Sequence, residues 1–210
     1  MIRFEILVSL VATMILSAIL TPFVRKLAFK IGAVDKPNVR RVNKIPMPTM
    51  GGLAIFVSYT VGTTVLYLMH QFPSRIFFAL LGGELIIIAT GVIDDIYELK
   101  PRQKMLGITL AALEVYFIGG IRMTTFTFPL LGLIHFQWLS LPVTLLWILA
   151  ITNAVNLIDG LDGLATGVSI ISLSTMGIIG LFFLNANMFV SLLIFTLVAA
   201  MIGFLPYNFF

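Results

Sequence analysis

Asn156, Asp159 and Asp162 stand three residues apart within the run Asn153-Ala-Val-Asn-Leu-Ile-Asp-Gly-Leu-Asp-Gly163. If the segment stays helical, that spacing stacks all three on one face. A carboxamide and two carboxylates in one stripe form a hard-oxygen surface, suited to Mg²⁺ or to hydrogen-bonding a polar headgroup or a base. Gly160 and Gly163 carry no side chain, which would let a ligand approach the backbone. The plainer reading is a polar helix end followed by a glycine turn. That reading leaves two acids in four residues unexplained, because acids near a membrane carry a cost.

A second acidic segment is Gly91-Val-Ile-Asp-Asp-Ile-Tyr-Glu98. Adjacent like charges at a helix C-terminus, where the macrodipole is already negative, are mildly unfavourable. Successive helical residues point about 100° apart, so one of Asp94 and Asp95 can face a cleft while the other makes a structural bond. Lys100-Pro-Arg-Gln-Lys104 supplies countercharge. Taken alone, a solvated loop that caps a helix fits this segment equally well. A third segment runs from Asp35 to Gly52. Arg25, Lys26 and Lys30 before it suit anionic lipid headgroups. The stiff Pro46-Met-Pro48 followed by Gly51-Gly52 is more specific, and would hold Lys44 and Thr49 in place to bind a phosphate.

The elements that must position these groups are membrane helices. Of the 210 residues 60% are hydrophobic and 10% charged, against about a quarter charged in soluble domains. There is no cysteine, hence no disulfide framework and no thiolate metal site. Runs of roughly 20 apolar residues suffice to cross a bilayer. Seven candidate spans are predicted, at residues 5–23, 51–69, 76–93, 105–121, 141–158, 164–183 and 188–206. They must be α-helices, because non-helical backbone facing lipid leaves amides unpaired. The first lacks a convincing cleavage site and is kept as a span rather than a signal peptide. The chain shows no internal repeat or linker and is read as one domain, 1–210.

Placing the N-terminus outside puts ten of the thirteen lysines and arginines on the cytoplasmic side, leaving Arg3, Arg75 and Arg122 outside. Both histidines then lie outside, and Trp138 and Trp147 serve as interface-belt and packing residues. Asp35, Asp94, Asp95, Glu98, Asp159 and Asp162 fall on the cytoplasmic face. Acids contribute little to topology, so the rule that sorts the basic residues does not explain this gathering. Cations, carboxylates that hold Mg²⁺ and a group that orients a nucleophile, all on one face, suit phosphoryl transfer between a soluble and a lipid substrate.

The segments Asp35-Lys-Pro-Asn-x-Arg-Arg, Pro46-x-Pro-Thr-Met-Gly-Gly52, Gly91-x-Ile-Asp-Asp95 and Asn153-Ala-Val-Asn-Leu-Ile-Asp-Gly-Leu-Asp-Gly-Leu-Ala165 resemble the polyprenyl-phosphate N-acetylhexosamine-1-phosphate transferases. They occur in the family's order and cover essentially the whole chain. The resemblance implies an all-α polytopic membrane enzyme that moves sugar-1-phosphate from a UDP-amino sugar to undecaprenyl phosphate. It releases UMP, uses Mg²⁺ (with Mn²⁺ as a substitute), and works from the cytoplasmic side of the bacterial plasma membrane. The first loop, and Ile158 where the peptidoglycan branch usually has Thr, resemble the UDP-GlcNAc branch that starts teichoic acid, common antigen or O-antigen. The phospho-N-acetylmuramoyl-pentapeptide transferase of peptidoglycan synthesis is the alternative. By motif, Asp94 is similar to the base that deprotonates or orients the lipid phosphate, with Asp95 in support. Asn156 resembles a metal ligand with Asp159 beside it; Gly160 and Asp162 match nucleotide-binding positions; Lys44 and Thr49 resemble cleft residues near the phosphates. Direct attack and a covalent aspartyl intermediate are both compatible with these residues. The family has about ten spans and dimeric members, and carries a Phe-Met-Gly-Asp metal segment after its seventh span. The chain is therefore expected to be incomplete at its C-terminus and inactive alone.

Readings of other classes compete. Glu84 and Glu114 inside spans suit an ion-coupled transporter, but paired broken helices and internal symmetry are lacking. A membrane prenyltransferase would need a second aspartate-rich motif in place of the Asn/Asp run. A non-catalytic scaffold is a third rival. Nothing points to nucleic acid; the partners expected are membrane lipid and the two substrates.

Overall fold

The computed structural model describes residues 4–35, 47–128, 132–183 and 188–209. Within them run seven α-helices: α1 (Phe4–Ile31), α2 (Gly51–Leu68), α3 (Ser74–Tyr97), α4 (Pro101–Glu114), α5 (Ser140–Ile158), α6 (Leu164–Phe182) and α7 (Met188–Asn208). Two small antiparallel hairpins interrupt them, β1 (Val34–Asp35) with β2 (Met47–Pro48), and β3 (Thr125–Phe128) with β4 (Gly132–His135). The protein is an all-α polytopic membrane protein. Six of its helices, all but α4, are long and apolar enough to cross a bilayer.

The seven predicted spans correspond one to one with the helices, and the differences have physical causes. The helix α1 runs on to Ile31, past the end of the apolar run, because Arg25, Lys26 and Lys30 can lay their stems along it with their charges in water. The α-helical part of α4 is only 14 residues. It begins among Arg102 and Lys104 and passes into a π-helical turn, Val115–Gly119, before the chain turns at Gly120 with φ 70°. The helix α3 does not stop before its two aspartates but carries both inside its last turns, to Tyr97.

Apolar side chains such as Leu7, Val11, Ile15 and Ile19 point outward from α1 and are about half exposed. Its inward face is Ser9, Thr13, Ser17 and Thr21, all buried. Lipid is as apolar as leucine, so helices in a bilayer gain from close packing of small residues rather than from burying large ones. The hydroxyl protons are spent within the helix: Thr13 donates to the Ser9 carbonyl at 2.9 Å and Thr21 to that of Ser17 at 2.7 Å. The helices α2 and α7 close on this stripe, with Ser58 and Thr196 buried in the same way. An apolar plug of Ile6, Leu66, Phe72, Phe77 and Leu192 fills the bundle end where α1 begins and α2 ends. Tyr67 stacks on Phe77 there, at 4.4 Å between ring centroids.

The helices α3 and α4 pack as one antiparallel pair. Gly83 lies against Glu114 and Val115, Gly107 lies against Thr90, and Asp94 meets Lys104 at the tip. A Cβ on Gly83 would come within 2.8 Å of Val115 Cγ2, and one on Gly107 would overlap the Thr90 side chain. The chain reverses between the two helices in three residues. Glu98 adopts φ 48° with its N–H on the Asp94 carbonyl at 2.8 Å. Lys100 N–H donates to Gln103 Oε1 at 3.0 Å, and Pro101 starts α4. Proline at a first helical position loses no hydrogen bond.

Candidate functional site

Asp94, Asp95, Asp159 and Asp162 lie at the end of the bundle remote from the aromatic plug. The Asp94 carboxylate is engaged on both oxygens. Oδ1 accepts the Leu99 N–H at 3.0 Å and thereby clips the α3–α4 reversal. Oδ2 accepts from Lys104 Nζ at 3.0 Å. The same ammonium donates to Asn156 Oδ1 at 3.5 Å, which draws the end of α5 to the α3–α4 tip. Lys104 and Asp94 are partly exposed, at 30% and 24% of their side-chain surface, so water and ligand reach the pair. Asp95 points elsewhere on its helix, as the 100° step requires. It is hydrogen-bonded by the Thr49 hydroxyl.

Thr49 is placed by the first hairpin. Val34 pairs with Pro48 and Asp35 with Met47. Beyond the hairpin, Thr49 N–H donates to the Ala33 carbonyl at 3.2 Å. The Thr49 hydroxyl also lies 3.0 Å from that carbonyl, so its single proton serves either Ala33 or Asp95. The short strand Met47–Pro48 thus sets Thr49 at the start of α2 and beside the aspartate pair. Lys44 and its neighbours from Lys36 to Pro46 lie outside the described residues.

The single Asn/Asp stripe does not form. The helix α5 ends at Ile158; Asp159 is its C-cap with ψ 53°, and Gly163 turns into α6 with φ 70°. An L-residue would be strained at Gly163, and the Phe209 ring occupies the place of its Cβ. Asn156, Asp159 and Asp162 therefore do not share a helical face, because the glycines unwind the segment after Ile158. Asn156 faces Lys104. Asp159 and Gly160 sit exposed in the turn. The protein around the Asp159 carboxyl removes enough water to raise its pKa above the usual carboxylate value.

Asp162 faces a different recess, a cavity of about 120 Å³ that it lines with Arg25, Gly51, Phe204, Tyr207 and Asn208 among others. Asn208 Oδ1 accepts from the Thr166 hydroxyl at 2.9 Å. Arg25, Tyr207 and Asn208 are polar residues that the sequence reading left unused, Arg25 having been assigned to lipid headgroups. The signal available was a polar pair, Tyr207-Asn208, ending an otherwise apolar helix. Glu84 and Glu114 lie away from this end of the bundle. Glu84 Oε2 accepts from the Thr60 hydroxyl at 3.4 Å, and Glu114 rests in the notch left by Gly82 and Gly83.

Among the described residues no three Asp, Glu or His side chains gather closely enough to hold a metal by themselves. Mg²⁺ is usually held by one or two protein oxygens, with substrate phosphates and water completing its octahedron. Asn156 Oδ1 and the Asp159 carboxylate, three residues apart and open to solvent, are oxygen donors that could hold such an ion. The Lys104 ammonium, 3.5 Å from Asn156 Oδ1, is a cation that could meet phosphate oxygens.

Residues 77–210 match the family described as Glycosyl transferase family 4. The chain is 40% identical to a probable undecaprenyl-phosphate N-acetylglucosaminyl 1-phosphate transferase of Bacillus subtilis, over 98% of this chain and 56% of that protein. It is 33% identical to a phospho-N-acetylmuramoyl-pentapeptide-transferase of Halalkalibacterium halodurans, over 97% of this chain and 65% of that protein. It is also 33% identical to a decaprenyl-phosphate N-acetylglucosaminephosphotransferase of Mycolicibacterium smegmatis, over 90% and 50%. The chain thus spans half to two thirds of the length of the relatives it matches.

Proposed function

Because the chain belongs to glycosyl transferase family 4, we propose that its protein transfers N-acetylglucosamine-1-phosphate from UDP-GlcNAc to undecaprenyl phosphate, on the cytoplasmic face of the plasma membrane. An oxygen of the lipid phosphate attacks the sugar-bearing phosphorus. A new P–O bond forms as that phosphorus parts from the bridging oxygen, and the electron pair leaves on UMP. The product is a lipid-linked sugar pyrophosphate. The observation that carries this reading is the Asp94–Lys104–Asn156 chain, which sets a carboxylate, a cation and a carboxamide from three helices at one bundle end. Ten of the thirteen basic residues fall in the segments that the sequence assigns to that side, which supports a cytoplasmic location.

Asp94 takes or orients the proton of the lipid phosphate, and Lys104 holds Asp94 in place while meeting phosphate charge. Thr49 fixes Asp95 beside them. Asn156 and Asp159 are the residues that would hold Mg²⁺, whose part is to neutralise pyrophosphate oxygens during transfer. Asp162 and Gly160 form the approach for the nucleotide. The UDP-GlcNAc branch is favoured by the 40% relative; the 33% muramoyl-pentapeptide relative keeps the peptidoglycan substrate as the second reading.

The test uses the full-length protein in bilayers with undecaprenyl phosphate, Mg²⁺ and either UDP-GlcNAc or UDP-N-acetylmuramoyl-pentapeptide. Lipid-linked product and UMP are expected from UDP-GlcNAc. Asp94→Asn should lower turnover by about 10²–10⁴-fold, the range for a lost general base. Undiminished turnover in that variant would remove Asp94 from the chemistry, and product from the pentapeptide substrate alone would transfer the assignment to the second reading.

A further inference from the structure

We propose that the β3–β4 hairpin is a lipid-seated anchor, whose aromatic face lies in the headgroup–acyl boundary of the membrane face opposite the carboxylate cluster. The proposal is independent of the reaction assigned above. The hairpin joins the π-helical end of α4 to the start of α5, whose other end carries Asn156 and Asp159. Its base is tied to the bundle, because Met123 N–H donates to the buried Thr144 hydroxyl on α5 at 3.0 Å. The Phe136 N–H, on the Thr124 carbonyl at 2.9 Å, extends the ladder beyond the paired strands.

The register pairs Phe126 with Ile134 and Phe128 with Gly132, and, on the other side, Thr125 with His135 and Thr127 with Leu133. Strand side chains alternate between faces and cross-strand partners share one. One face is thus Phe126, Phe128 and Ile134, with the two phenyl rings 6.0 Å apart. The other carries both threonines, His135 and Leu133. A two-stranded hairpin alone is marginal in water and needs a third layer to lean on. Here the protein supplies little: seven of the eight strand residues are exposed and Ile134 alone is partly covered.

The missing layer is a bilayer rather than a second polypeptide, on two grounds. No Asp, Glu, Lys or Arg occurs between Arg122 and Asp159, so the hairpin and the span after it form one uncharged stretch. Trp138, 80% exposed, projects from the short 3₁₀ turn between β4 and α5. Leu139, Leu146 and Trp147 follow it as exposed apolar residues, so apolar surface continues from the hairpin into the span. Exposed tryptophan at a span entrance is the belt residue of a membrane interface.

The sequence contains no cysteine, which permits single-site spin labelling at exposed positions that carry no packing. Phe126→Cys, Phe128→Cys, Thr125→Cys and Thr127→Cys would be labelled in the bilayer-reconstituted protein, and their collisions with oxygen and with an aqueous nickel chelate compared. Labels at 126 and 128 should show a several-fold higher oxygen-to-nickel ratio than labels at 125 and 127. Equal ratios at all four sites would overturn the proposal. So would labels at 126 and 128 shielded from both reagents, which would mean that protein, such as a second copy, covers the face.

Discussion

Asp159 and Asp94 stand in different surroundings. Asp94 has a backbone N–H and an ammonium on its two oxygens. Its ion pair is partly exposed, so it adds no more than about 1 kcal/mol to stability; its value is in where it puts the carboxylate. Asp159 has no such compensation, and desolvation raises its pKa. Below the ordinary aspartate value of about 3.9 both folded and unfolded chains are protonated there. Above it the unfolded chain sheds a proton that the folded one retains, so stability falls as pH climbs to the raised value. A divalent cation on Asp159 must displace that proton. Affinity for Mn²⁺, followed by its paramagnetic signal, should therefore weaken as pH is lowered through the raised pKa. In Asp159→Asn, binding should be weaker throughout and its pH dependence flatter. Unchanged pH dependence in the variant would separate Asp159 from the cation. The spacing of these acids drew attention to them but did not give their arrangement. A three-residue step implies one face only while the helix lasts, and no rule of spacing says whether Gly160 or Gly163 will end it. The bridge from Lys104 to Asn156 joins residues 52 apart, a contact that depends on how α4 and α5 meet in space.

At the scale of elements, the site depends on how closely α3 and α4 approach. Gly83, Gly107 and the Asp94–Lys104 pair are successive points of one antiparallel seam. Gly107→Ala would drive a methyl into Thr90 and force the helices apart near the tip. Overpacking of this kind costs about 1–3 kcal/mol, and thermal unfolding in detergent should register it. Turnover should fall further than the stability loss alone accounts for, and Thr90→Ala in the same protein should recover part of it by removing the hydroxyl and the methyl that clash. The α3–α4 pair itself was readable, because two apolar runs separated by a short basic stretch can only be antiparallel neighbours. The π-helical end of α4 was not: nothing in Val115-Tyr-Phe-Ile-Gly119 separates a π turn from an α turn, and it is tertiary contact, including Arg75 donating to the Ile118 carbonyl at 2.6 Å, that settles it.

For the whole molecule, membrane class and the positions of the helices follow from the apolar runs, since each run must satisfy its own backbone in lipid, although α4 falls short of the length and apolarity of a span. The small-residue interior of α1 was less apparent, because Ser9, Thr13, Ser17 and Thr21 look polar in a sequence while the structure turns them inward. Orientation is open to a direct check. With the basic loops inside, Arg102→Cys should react with an impermeant maleimide only after the membrane is breached, and Thr127→Cys without it. The reverse pattern would invert the assigned topology. The tight reversal between α3 and α4 has a consequence for biosynthesis. Two apolar arms joined by a three-residue bend can enter the bilayer together as a hairpin, leaving the bend behind in water. The aspartates, Lys100, Arg102 and Lys104 then never cross hydrocarbon, where each charge at the centre would cost about 2.5–3.5 kcal/mol. On this route the Asp94–Lys104 contact is expected to form before α5 has been synthesised. A ribosome-arrested chain that has exposed α4 but not α5 should already give a cross-link between cysteines placed at 94 and 104, and no cross-link at that stage would mean that α5 is needed to bring them together.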